Sequence, residues 1–223
     1  MRFIRYSRRG LILFVVLATS ACQFVAERQV GGIDEQVSNS DASLKILEKK
    51  SSINPYLDST ESVSSTVLER FRNANEALVN DDFDFAEQEL RWIIDRHPNL
   101  SGPTLNLALL HSVSGNSEQA EIYFRETIER NSKNIHAYNQ YGIFLREQGR
   151  FMEAEKAYQE ALVVWPKYPD ANINIAILYD LYMGRLEQAV TYYAIYRDLL
   201  EQPGRQINGW IIDAERRLAT TQR

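Results

Sequence analysis

Residues 135–168 read IHAYNQYGIFLREQGRFMEAEKAYQEALVVWPKY, two amphipathic stretches parted at Gln148-Gly149 and stopped at Pro166. Gly142 stands at the eighth place of this stretch and Ala154 at the twentieth. Working outward, the same eighth place carries Ala74, Ala108 and Ala176, so that four small residues recur at intervals of 34. A second ladder, Ala86, Ala120, Ala154 and Ala189, and a third of bulky residues, Leu90, Phe124, Tyr158 and Tyr193, follow the first. Self-similarity at a period of this size marks a repeated helix pair that buries its apolar face only by stacking on its neighbours.

Each recurring place has a physical reason. Small side chains let two helices approach within the ~8–10 Å of close helix packing. Gly115, Gly149 and Gly184 end the first helix of three units, where a C-cap commonly needs the left-handed conformation, and Asp81 holds that place in the first unit. Pro98 and Pro166 stop second helices because proline cannot donate the next intrahelical hydrogen bond, while Ser132 takes that place in the second unit. The units run 67–100, 101–134, 135–168 and 169–203, the last one residue longer, within an ordered part that starts near Glu61. Residues 204–223 hold a capping helix and tail, with Ile207, Trp210, Ile211, Ala214 and Leu218 on one face and Asp213, Glu215, Arg216 and Arg217 on the other. Such a helix shields the apolar end that an open stack would leave in water.

Tyr138, Gly142, Leu145, Ala154, Tyr158, Ala161 and Pro166 occupy the aromatic, small and proline places of the tetratricopeptide repeat, which this pattern resembles. The resemblance implies an all-α fold, a right-handed solenoid of helix pairs with a C-terminal capping helix. It also implies that the first helix of each unit lines a peptide-binding groove. Carried onto this chain, the groove places are Leu105, Asn106, Leu109 and Ser112 in the second unit. The third unit contributes His136, Asn139, Gln140, Ile143, Arg146 and Glu147, and the fourth Asp170, Ile173, Asn174, Ile177 and Asp180. Asn106, Gln140 and Asn174 share the sixth place, and side-chain amides both donate to and accept from an extended backbone. The strip has no cluster of Lys and Arg of the kind that family members use to clamp a C-terminal carboxylate; Arg146 can pair with a single acid.

The N-terminus bears on location. Arg2, Arg5, Arg8 and Arg9 precede the apolar run Leu11 to Ala18, which is shorter than the ~20 residues of a transmembrane helix. Residues 1–21 therefore read as a secretory signal peptide. Ser7 to Ile12 also resembles a twin-arginine export motif. Leu17-Ala18-Thr19-Ser20-Ala21-Cys22 resembles the bacterial lipobox, with Thr19 where an aliphatic residue is usual, and the resemblance implies lipid attachment at Cys22. Gln23 after the cysteine, by the same resemblance, implies the outer membrane of a Gram-negative bacterium, periplasmic face. Residues 22–60, rich in Ser, Asn and Asp, read as a flexible tether with room for a short helix around Asp41 to Lys50.

Composition and motifs exclude several classes. The chain carries 25 basic and 30 acidic residues; without residues 1–21, which hold four of the basic and none of the acidic, the net charge is −9. Nucleic acid is not a partner such a body attracts. Cys22 is the only cysteine, and His97, His111 and His136 lack metal-ligand spacing. No glycine-rich phosphate loop or nucleophile elbow is present. The expectation is therefore a chain without catalytic activity or cofactor. It is similar to the tetratricopeptide lipoproteins of the Gram-negative periplasm, which implies a scaffold for protein partners of a cell-envelope complex. A pilotin-like factor for type IV pilus secretin assembly and a structural, self-associating solenoid are the alternatives. The tyrosines Tyr179, Tyr182, Tyr192, Tyr193 and Tyr196 form a cluster read as packing for the fourth unit, with an aromatic docking patch as the other reading.

Overall fold

The computed structural model describes residues 54 and 63–221. The signal peptide, Cys22, the short helix near Asp41 and nearly all of the tether lie outside the described residues. What is described is helical, with no strand. It falls into two units, one of residues 63–132 and the other of residues 133–221 together with Asn54.

In the first unit α1 spans Ser65–Val79, α2 Phe83–Arg96, α3 Ser101–Val113 and α4 Ser117–Arg130. Three starts are capped by side chains: Ser64 Oγ accepts from the Val67 amide, Asp82 Oδ1 from Phe85 and Asn116 Oδ1 from Gln119. Each satisfies an amide that the first turn leaves without a partner. Ala74 packs with Leu90 and Leu107, flanked by Phe71, Ile94 and Tyr123, and Ala86 packs with Ala77, Leu78 and Leu110. Ala74, Ala86, Ala108 and Ala120 are all without exposed surface, so the two small-residue ladders lie at the helix crossings.

The second unit comprises α5 Ile135–Glu147, α6 Phe151–Val164, α7 Pro169–Ile177, a π-helical turn Leu178–Tyr182, α8 Leu186–Leu199 and α9 Arg205–Thr221. Pro169 opens α7, where its missing N–H is not needed. Asn172 Nδ2 donates to the Pro166 and Tyr168 carbonyls and so ties α7 to the turn before it. Ala154, Tyr158, Ala176 and Ala189 are fully buried. On α9, Ile207, Ile211 and Ala214 are buried against the unit, whereas Trp210 reaches Tyr193 with its ring yet keeps 38% of its surface exposed.

The turns inside the pairs share one design. Gly115, Gly149 and Gly184 have φ of 80°, 74° and 65°, and Asp81 takes the same conformation at 59°. Just after them, the amides of Asp82, Asn116 and Arg150 donate to Ala77, His111 and Leu145, each five residues back. The fourth pair differs, because Arg185 donates to Tyr179, six residues back. The extra residue of that unit is taken up by the π-helical turn, and no loop grows to hold it.

Candidate functional site

The side chains assigned to the groove divide by how much of their bonding capacity is used within the fold. In the first unit Asn106 is buried and its Nδ2 donates to Asn75 Oδ1 at 2.6 Å, and Leu109 and Leu105 are also buried. In the second unit Asn139 is buried and accepts from Asn174 Nδ2 at 3.0 Å, so two amides from consecutive first helices hold each other. Gln140, Ile143, Arg146, Asn174 and Ile177 are half-buried. Of the three sixth-place amides, Asn106 and Asn174 therefore spend a donor on a neighbouring helix, and Gln140 and Asn174 share a unit that does not include Asn106.

The register places Asp180 in the groove; the structure does not. Its carboxylate, with 7% of the side chain exposed, accepts from Tyr193 at 3.1 Å and pairs with Arg217 of α9 at 2.5 Å. The π turn is the reason, since one extra residue within a helix rotates everything after it by about 100°. His136 is turned toward Tyr168, whose hydroxyl lies 2.9 Å from Nδ1 and donates to Asp170 at 3.2 Å. Burial pulls the His136 pKa below its ordinary value, with Asp170 working weakly the other way.

Arg146 differs from its peers. Arg70, Arg130, Arg150, Arg185, Arg197 and Arg217 are half-buried and each bonds a carboxylate. Arg146 is half-buried too, yet among the described residues no carboxylate pairs with it, and its covered Nε has no acceptor. The guanidinium lies 5.6 Å from the ring centre of Tyr182, a cation–π contact. The Tyr158 hydroxyl is buried without a partner among the described residues, and burial pushes its pKa up while the charge of Arg146 draws it down. Tyr158 reaches this position because Gly142, one turn before Arg146, has no side chain in the way. Tyr182 reaches it through the π turn and rests on Phe151 at 5.2 Å between ring centres, with 46% of its surface exposed.

Tyr179, Tyr192 and Tyr193 of the tyrosine cluster are committed to packing. The Tyr179 hydroxyl donates to Glu155 at 2.7 Å, and Arg185 donates to both oxygens of the same carboxylate. Tyr193 is buried against α9. The motif reading includes Arg146 but not its companions Tyr158 and Tyr182; the one available signal is the extra residue of the fourth unit. Among the described residues no group of His, Cys, Asp and Glu stands ready for a metal, and no helix is long and apolar enough to cross a membrane.

The tetratricopeptide repeat family matches residues 134–202, the part that holds this constellation. The chain has the tetratricopeptide-repeat fold. Solved structures show the same. PilF of Pseudomonas aeruginosa is 20% identical with a TM-score of 0.61, the match covering 70% of each chain. A thermophilic tetratricopeptide protein of Thermus thermophilus is 18% identical with a TM-score of 0.58, over 93% of this chain and 98% of that one. A MamA double mutant is 13% identical with a TM-score of 0.56, over 70% and 86%. At such identities the likeness is one of fold, and function lives in the side chains. No curated protein matches the sequence.

Proposed function

We propose that this chain is a non-enzymatic scaffold that holds a segment of a partner protein along α5 and α7. The observation that carries the reading is the half-buried strip of Gln140, Ile143, Arg146 and Ile177, whose aliphatic and polar side chains are neither packed into the core nor fully in water. Helices bearing fixed side chains of both kinds suit an extended segment, since apolar steps supply burial and the amide and guanidinium supply direction. The sequence of residues 1–23 supports a setting for it: a lipid-anchored protein at the periplasmic face of the outer membrane, gathering partners of a cell-envelope complex.

A photo-crosslinking residue at Gln140, compared with one at the exposed Lys156 of α6, tests the binding face in intact cells. Partner proteins are expected on Gln140 and not on Lys156; the reverse pattern would reject the face. Recovery of a secretin would support the pilotin-like role, and adducts only with further copies of this chain would support the self-associating one. Palmitate labelling that disappears in Cys22→Ser supports the anchor, and labelling that persists refutes it.

A further inference from the structure

We infer that Arg146 reads an acidic side chain, Asp or Glu, in the segment of the partner protein held by α5 and α7, an inference that rests on the proposed binding face. Two donors lack an acceptor among the described residues, the Nε of the half-buried Arg146 and the buried Tyr158 hydroxyl, and the Tyr158 ring packs on α5 at Gly142, one turn before Arg146. A carboxylate is acceptor-only and has two oxygens, which complements a site that offers donors and a positive charge. Every other half-buried arginine described has found such a group within the fold. Glu147, next in sequence, is exposed and feels the charge of Arg146, which draws its pKa down against desolvation, but forms no hydrogen bond with it.

The source of the carboxylate follows from what flanks the site. Ile143 is three residues before Arg146 on α5 and therefore on the same face. An apolar step beside the charge suits an acidic residue within a chain, followed or preceded by an aliphatic one, better than a free small acid. Tyr182 lies against the guanidinium, keeps 46% of its own surface exposed and has no carboxylate partner among the described residues, so its side chain turns aside or stacks on the incoming residue at small cost. The π turn that positions Tyr182 and the glycine that admits Tyr158 are both departures of this unit from its repeats. They converge on one arginine.

The test uses the full chain and random peptides displayed for selection, with the recovered sequences resynthesised with acetylated and amidated ends. Recovered peptides are expected to share an Asp or Glu, and changing it to Asn or Gln should weaken binding by about 10-fold or more, as for a lost charge-assisted hydrogen bond. On R146Q the same change should cost little, whereas R146K, still cationic but unable to make the paired contact, should keep a reduced preference for the acid. Peptides with no acidic residue in common, or an equal loss on wild type and R146Q, would overturn the inference while leaving the binding face intact. A preference for peptides with a free C-terminus would also overturn it, by moving the carboxylate to the chain end. Failure to recover any peptide would reject the binding face itself. Should R146Q not fold, as circular dichroism would show, the acid-to-amide comparison on wild type and R146K decides.

Discussion

The ring of Tyr158 fills the space of the side chain that Gly142 lacks: a Cβ on Gly142 would lie 2.5 Å from Cε1 and 2.9 Å from Cζ. Real Cβ contacts do not come so close, and the fully buried ring has nowhere to retreat. Gly142→Ala should therefore lower stability by roughly 1–3 kcal/mol through overpacking, less the ~1 kcal/mol that alanine gains over glycine in a helix. Gly209→Ala is the matched control, because nothing lies within 4 Å of its Cβ position in α9, and it should be stabilising. Urea midpoints of the two variants should move in opposite directions.

Asp81 occupies the left-handed turn that glycine fills in the other three pairs. Asp81→Gly should stabilise the first unit by up to ~1 kcal/mol, since the left-handed strain of a side-chain-bearing residue is removed at some cost in unfolded-state entropy. Gly149→Ala introduces that strain and should destabilise by about 1–2 kcal/mol. Thermal unfolding of both variants checks the pair of signs.

Glu155 accepts from Tyr179 and Arg185 at once and is nearly buried. Glu155→Gln removes the charge but not the shape, leaving Arg185 without its carboxylate, and should cost about 2 kcal/mol. The double variant Glu155→Gln with Arg185→Met should cost less than the sum of the single changes. A double-mutant cycle on denaturant midpoints would read this directly.

Asp180 links the π turn to α9 through Arg217 and to α8 through Tyr193. Asp180→Ala should loosen α9 before anything else, raising amide exchange along Arg205–Thr221 while α5 and α6 keep their protection. Uniform acceleration in every helix would contradict a local role.

His136 makes stability depend on pH. Its folded pKa is lowered by burial from 6.5, so between that lower value and 6.5 the unfolded chain binds more protons. Stability is therefore full above pH 6.5 and falls as the pH drops toward the folded pKa. His136→Gln should flatten the melting temperature profile across this window, measured by calorimetry at constant ionic strength.

The helix pairs are legible because the small residues at their crossings repeat with the chain's own period, and Gly115, Gly149 and Gly184 mark the turns without needing a partner to be known. Asp81 is legible by alignment with them. Which amides bond each other is not. Asn75 is at a different repeat place from Asn106, and a period cannot say that their side chains turn inward to meet. The extra residue of the fourth unit is visible as a count, but a count does not tell a longer loop from a widened helical turn. That ambiguity is why Asp180 reads as a groove residue and is found holding α9, and why Tyr182 reads as packing and is found over Arg146.

The widened turn also sets a limit on how this chain can be rebuilt. Three of its units obey one length and are in that respect exchangeable parts, open to duplication or replacement by an averaged sequence. The fourth is not. Trimming one residue from Leu178–Tyr182 to restore the common length would make a more regular array, and at the same stroke would swing Tyr182 away from Arg146 and Asp180 away from Arg217. In this molecule the irregular module carries the individuality, and regularity would erase it.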